Sequence, residues 1–199
     1  TPLTIGTLLA LYALLPMLLA VAAGRLIDRV GSLRPLAWSG SALVVGLALP
    51  WFWPGLPGLF AAATIIGTSF MVVHVALNHA VGVLGTPADR AVHFSWFALS
   101  FSMGGFAGPL LAGFTIDIAG HRPAFLLLAA FPLAAMALAW QQRHAIPSRH
   151  GAGGAAGERH VRDLLREPRL RAVFSAGALL AMGWDLYTFV IPLYGAQIG

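Results

Sequence analysis

The sequence predicts an all-α fold, a polytopic bundle of transmembrane helices. Hydrophobic residues make up 58% of the 199 residues and charged residues only 10%, whereas an average soluble domain is about 45–50% apolar. Charge-free runs recur along the chain, and most of them reach the roughly 20 residues that a helix needs to cross a bilayer. The charges collect between these runs, so the runs are predicted to span the membrane.

Six spans are predicted in order, at residues 3–23, 36–53, 56–80, 93–116, 123–140 and 171–194. The first ends in charged residues and lacks the basic start and small-residue cleavage site of a signal peptide, which favours a span. Spans two and three are joined by PWFWPGLPG, Pro50 to Gly58, whose Pro-Gly pairs end helices and whose aromatic residues suit a membrane interface.

The one long connection, residues 141–170, precedes the last span. GAGGAAG at 151–157 is typical of a flexible linker. After it, Val161, Leu164 and Leu165 recur at helical spacing among arginines, which indicates either an amphipathic interfacial helix or a solvated basic linker. Pro168 separates this segment from the last span.

The arginines predict the orientation of the spans. Eleven of the twelve basic residues lie in alternate connections on one side, and only Arg122 lies on the other. Because retained basic residues mark the cytoplasmic side, both Thr1 and Gly199 are expected on the outer side.

Several classes of protein are disfavoured. The chain has no cysteine, which excludes a disulfide framework or a thiolate metal site, and no metal or cofactor is expected. No catalytic fingerprint is present, so an enzyme is not predicted. The net charge of +5 comes without a basic stripe and interleaved aromatics, so nucleic acid is not an expected partner. A membrane haem protein with His74 and His93 as iron ligands is a rival hypothesis.

The charged connection after span one carries a motif. GRLIDRVGSLR, Gly24 to Arg34, resembles the loop motif G-x-L-[AS]-D-R-x-G-[RK]-[RK] of the major facilitator superfamily, with Gly24, Leu26, Asp28, Arg29 and Gly31 in register. Glycines there permit close helix approach and a tight reversal, and Asp28 is expected to pair with arginine and face a positive helix end. The resemblance implies a conformational latch. Ile27, Ser32 and Leu33 depart from the motif, and Arg34 is a candidate substitute for its final basic residues.

A second motif lies in span four. GGFAGPLLAG, Gly104 to Gly113, resembles the G-x-x-x-G-P-x-x-[GA]-G motif that antiporters of this superfamily carry on helix five. Gly104, Gly108 and Ala112 form a small-residue stripe suited to close helix packing, and Pro109 predicts a local bend; a static packing face is the alternative.

The two motifs together place the six spans as helices two to seven of an expected twelve. The resemblance then implies that residues 1–140 are most of the N-terminal half, that 141–170 is the cytoplasmic linker, and that 171–199 holds the first helix of the C-terminal half. Helix one and helices eight to twelve are expected outside these residues. The implied location is a bacterial cytoplasmic (inner) membrane.

Ionisable groups inside the spans are candidate substrate or proton sites, because charge in hydrocarbon is costly. Asp185 in the last span is flanked by Trp184 and Tyr187; the alternative for Asp185 is a structural hydrogen bond near an outward helix end. In span three, His74 and Asn78 share a helix face, and histidine titrates near neutral pH; the alternative for His74 is a structural hydrogen bond to a neighbour. Family antiporters carry an arginine four residues before a helix-four glycine; Ala63 stands there, before Gly67, so Asp185 or His74 would have to substitute.

These observations predict a secondary transporter of a small organic solute that works by alternating access, with proton-coupled efflux as the leading hypothesis. Two alternatives are an uptake permease of the same superfamily and a non-transporting, truncated membrane scaffold. The expected partners are the solute, the lipid bilayer, protons and the missing helices of the same chain.

Overall fold

A computed structural model describes residues 2–144 and 168–198, and each of the six predicted spans forms an α-helix in it. The helices are α1 (Pro2–Val30), α2 (Leu33–Phe52), α3 (Leu56–Val83), α4 (Arg90–Ala119), α5 (His121–Gln141) and α6 (Pro168–Ile198). The described residues contain no strand, and the all-α fold class is confirmed. The predicted amphipathic segment with Val161, Leu164 and Leu165 lies outside the described residues.

The chain divides into two compact units, Thr7–Gly151 and Thr1–Gly6 with Ala152–Gly199. In the first unit α2 packs against both α3 and α5, and α4 packs against the same two helices. Helix α1 meets α3 at Gly67, where an added Cβ would collide with the backbone carbonyl of Tyr12. The second unit consists, in its described part, of the start of α1 and the whole of α6.

The helices extend beyond the apolar runs. Helix α1 continues to Val30, so the stretch from Gly24 to Val30, which the sequence suggested was a connecting turn, is helical. The reversal is confined to two residues: Gly31 has φ of 81° and its N–H donates to the carbonyl of Ile27 at 2.8 Å. This is the common glycine cap. Arginine has a high helix propensity, so Arg25 and Arg29, both exposed, do not end the helix.

Small side chains fill the contacts between helices. The buried residues of α2, α3 and α5 include Gly46, Ala62, Ala76, Ser69 and Ala124. A Cβ added to Gly46 would lie 2.9 Å from Ile66 Cγ1, and one added to Gly40 would lie 2.8 Å from Met136 Cγ. Close backbone approach through small residues is how helices associate where there is no water to drive them together.

Large apolar side chains face outward instead. Leu18, Phe106 and Phe114 are 66%, 75% and 67% exposed, an arrangement that lipid tolerates and water does not. All six described helices are long and apolar enough to cross a membrane. The protein is therefore an integral, multi-pass membrane protein.

The two ends of the first unit differ in charge. One end, here called the arginine-rich end, carries Arg25, Arg29, Arg34, Arg90 and Arg143. At the opposite end, the Arg122 guanidinium donates to the carbonyl of Trp51 at 2.5 Å and stacks over its indole ring at 5.2 Å. This cation–π contact ties the start of α5 to the end of α2.

Candidate functional site

His74 is the centre of an aromatic cluster between α3 and α4. Its ring lies edge-on to Phe101, with centroids 5.1 Å apart, and 5.9 Å from Phe97. Phe70, one turn before it on α3, stacks at 6.3 Å. Since His74 is nine residues from the end of α3, it lies about 13 Å into the helix from the arginine-rich end. The structure thus sets an ionisable ring among three phenylalanines within a membrane span.

Asn78 lies on the same face of α3 and orients this histidine. Its amide nitrogen donates to the His74 carbonyl at 2.8 Å and is 3.2 Å from His74 Nδ1. The two residues, which the sequence placed on one helix face, are in contact in the structure, and their role stays a prediction. Both side chains are half-buried.

Asp28 of the latch motif contacts α3. Its carboxylate oxygen lies 3.7 Å from Nε2 of His79, and Nδ1 of the same ring is 2.7 Å from the hydroxyl of Ser32. Ser32 is 1% exposed, whereas the Asp28 side chain is 71% exposed. Among the described residues, the side chain that approaches the Asp28 carboxylate is thus a histidine rather than the expected arginine.

The other latch residues, apart from Gly31, occupy exposed or open positions. The side chains of Leu26, Arg29 and Arg34 are exposed, and an added Cβ on Gly24 would meet nothing within 4 Å in the described part of the chain. Gly24 therefore makes no close helix approach there. The buried residues are Gly31 and two departures from the motif, Ile27 and Ser32.

The small-residue stripe of α4 faces open space. An added Cβ on Gly104, Gly108 or Gly113 would meet nothing within 4 Å among the described residues. The helix runs from Arg90 to Ala119 through Pro109 without interruption, and Ala112 is half-buried. Close packing of another helix on this stripe stays a prediction.

Asp185 lies on α6, in the second unit. It is exposed, and beside it the rings of Trp184 and Tyr187 approach to 6.2 Å between centroids. Trp184 and Tyr187 are themselves 69% and 59% exposed. The predicted grouping of a carboxylate with two aromatic side chains is present on one helix, and its role stays a prediction.

The turn between α3 and α4 contains a glycine with positive φ and two polar contacts, one made by His93 and one made by Thr86. Gly85 has φ of 73°, and His93 Nδ1 is 3.2 Å from the Leu84 carbonyl. The Thr86 hydroxyl donates to the Asp89 carboxylate at 2.7 Å, and this bond lowers the pKa of Asp89 below its ordinary value. The carboxylate at the start of α4 therefore stays ionised near neutral pH.

Sequence reasoning assigned no role to four of the residues that build these sites: His79, Phe70, Phe97 and Phe101. The four-residue spacing of Phe97 and Phe101 was a usable signal for one helix face. The contact between His79 and Ser32 joins residues 47 positions apart, and a single sequence contains no signal for it. No group of three metal-ligating side chains exists within residues 2–144 and 168–198.

Comparison with known proteins gives a family and two relatives. The family model described as Major Facilitator Superfamily matches residues 1–199. The chain is 31% identical over 121 residues to "Tetracycline resistance protein, class B" of Escherichia coli, covering 61% of this chain and 30% of that protein. It is 33% identical over 118 residues to the class C protein of the same organism, covering 59% and 30%. The chain thus spans about a third of the length of these relatives.

Proposed function

This chain belongs to the Major Facilitator Superfamily, and on that premise we propose that it is part of a secondary transporter that exports a small organic solute in exchange for protons. The observation that carries the proposal is His74, an ionisable ring held among phenylalanines on a membrane-spanning helix. Histidine changes charge near neutral pH, and ionisable groups inside a membrane mark proton or substrate pathways.

The relatives bear on the solute and on the direction of transport. Both are named for resistance to tetracycline, which favours export over uptake and a fused polycyclic solute with an aromatic ring over a small hydrophilic one. In this proposal the arginine-rich end lies in the cytoplasm of a bacterial cell and the Arg122 end outside, as retained basic residues favour.

The remaining candidate residues take supporting roles. Asp185, with Trp184 and Tyr187, is a second proton or substrate group. The link from Asp28 through His79 to Ser32 latches the end of α1 to α3 in one conformation. The stripe at Gly104, Gly108 and Ala112 packs against a helix that moves during alternating access.

Proton exchange in everted membrane vesicles tests the proposal. The vesicles come from cells that express the natural reading frame encoding these residues, and their lumen is acidified by respiration and reported by acridine orange. We expect tetracycline added outside, at the cytoplasmic face, to release lumenal protons. We expect His74→Ala to abolish the response and His121→Ala, an exposed histidine at the opposite end, to retain it.

Two results would contradict the proposal. Wild-type vesicles that hold their pH gradient when tetracycline is added would remove the efflux function. Undiminished exchange in His74→Ala would remove His74 from the proton pathway and leave Asp185 as the candidate, which Asp185→Asn would then test.

A further inference from the structure

A groove opens between the arginine-rich ends of α3 and α4. Its volume is about 390 Å³, within the range of about 300–1,000 Å³ that is common for small-molecule sites. The residues that line it are Val81, Leu84, Gly85, His93, Trp96, Phe97 and Ser100. The groove belongs wholly to the first unit.

Three of the seven lining residues carry rings, His93, Trp96 and Phe97, and the lining includes no carboxylate and no arginine. Trp96 is 65% exposed and presents a large flat ring, while Phe97 is half-buried. Flat aromatic side chains favour a flat aromatic ligand, because stacked rings gain free energy beyond the area they bury. The nearest carboxylate is that of Asp89, which lies next to Gly85 and interacts electrostatically with His93.

His93 adds one directional polar group. Its Nδ1 lies 3.2 Å from the Leu84 carbonyl oxygen, a contact that matches the tautomer with its proton on Nδ1, because a carbonyl can only accept. In the neutral ring, Nε2 is then a hydrogen-bond acceptor. The ligand that satisfies it needs a hydroxyl or an amide N–H, which a lipid acyl chain lacks.

Gly85 makes room for this arrangement. A Cβ added at Gly85 would lie 2.6 Å from Cε1 of His93, so the ring rests directly on the glycine. The turn and the contact to Leu84 together hold the imidazole in one orientation at the mouth of the groove.

The groove adjoins the His74 cluster through Phe97. The Phe97 ring lines the groove and is also 5.9 Å from the His74 ring. A solute bound here would contact the aromatic residue that contacts the proposed proton carrier. The two sites are therefore consecutive along the α3–α4 contact, starting from the arginine-rich end.

We propose that this groove binds a planar aromatic solute at the cytoplasmic face, with the solute stacked on Trp96 and a hydroxyl or amide donor bound by Nε2 of His93. The inference rests on the proposed function and names the chemistry of the first position that the solute occupies. Lipid acyl chains are the competing occupant.

Binding and exchange measured separately test this inference. The product of the natural reading frame is placed in nanodiscs, and tetracycline, a polycycle with hydroxyl and amide donors, is titrated against tryptophan fluorescence without a pH gradient. We expect His93→Leu and Trp96→Leu each to raise the Kd about fivefold, equivalent to one hydrogen bond or one stacked ring. His93→Gln, which keeps an acceptor, should restore most of the affinity, and the control variants His121→Leu and Trp38→Leu should bind as the wild type does.

The outcomes separate the two proposals. Unchanged Kd in both groove variants, or quenching of Trp96 by brominated acyl chains that tetracycline does not relieve, would overturn the groove site and leave the transport function standing. Tight tetracycline binding that is lost in the groove variants, in a protein that exchanges no protons, would support the groove and overturn the proposed function.

Discussion

Ser32 occupies a motif position where the family resemblance implies a basic residue, and its hydroxyl bonds a histidine instead. The replacement is consistent with its burial, because a serine 1% exposed could not be exchanged for an unpaired arginine without desolvating a charge. The ring of His79 then lies between Ser32 and Asp28. In this chain the His79 ring of α3 contacts the Ser32 hydroxyl on one side and the Asp28 carboxylate on the other.

Ser32→Ala tests this contact. Loss of the hydroxyl leaves one nitrogen of a half-buried histidine without that partner, so we expect the free energy of unfolding to fall by about 1–2 kcal/mol. The measurement is the melting temperature of the detergent-solubilised protein followed by tryptophan fluorescence. Ser41→Ala is the control, because its exposed hydroxyl bonds only the Ala37 carbonyl of its own helix; equal melting temperatures for the two variants would show that the Ser32 bond contributes nothing.

Gly85→Ala tests the turn before α4. An alanine there must adopt φ of 73° and would bring its Cβ within 2.6 Å of the His93 ring. Left-handed backbone costs a non-glycine residue about 1 kcal/mol or more, and displacement of His93 adds to it. We expect a lower melting temperature than in Gly82→Ala, where the added methyl would make an ordinary contact at 3.7 Å with Phe94; a melting temperature as high as that control's would argue against the constraint.

At the scale of helices, the sequence predicted which segments cross the membrane but not where they end. A span can be recognised because it lacks charged residues, and a single sequence shows this directly. Helix ends depend on backbone geometry: α1 passes through Arg25, Asp28 and Arg29 and ends only at Gly31. The chain reverses at Gly31 of the motif. The charged residues before Gly31 do not mark the reversal, because they belong to the helix.

Gly67 marks the crossing of α1 and α3. An added Cβ would collide with the Tyr12 backbone carbonyl, and backbone cannot rotate aside as a flexible side chain does. We expect Gly67→Ala to lower the free energy of unfolding by about 1–3 kcal/mol through overpacking. Gly105→Ala is the matched control in an open position of α4, where alanine should be neutral or stabilising because it favours the helix. The measurement is the thermal unfolding of both variants. Equal melting temperatures would contradict a tight crossing of α1 and α3.

Across the described helices as a whole, large apolar side chains face outward and small residues fill the contacts between helices. The long apolar segments were therefore visible in the sequence and predicted the bundle, whereas only part of the candidate site was predicted. His74 and Asn78 were found because they are polar residues four apart in an apolar run. Two of the rings around His74 come from α4, and the contact between Arg122 and Trp51 joins α5 to α2. Such partners follow from the packing order of the helices, which one sequence does not display.

Orientation across the membrane is a testable property of the complete chain. Since the sequence has no cysteine, single cysteines can be introduced one at a time as reporters. We expect His121→Cys to react with an impermeant maleimide in intact cells, and Ala88→Cys to react only after permeabilisation, because positively charged connections are retained inside. Both positions are exposed. The reverse pattern would invert the assigned topology and move the groove to the outer face.

Gly120 is the only residue between α4 and α5, and its φ is 87°. A connection this short allows these two helices almost no separation at that end. We therefore expect the two helices to enter the bilayer together as a hairpin during biosynthesis. Insertions for affinity tags or fluorescent reporters will be poorly tolerated at this point.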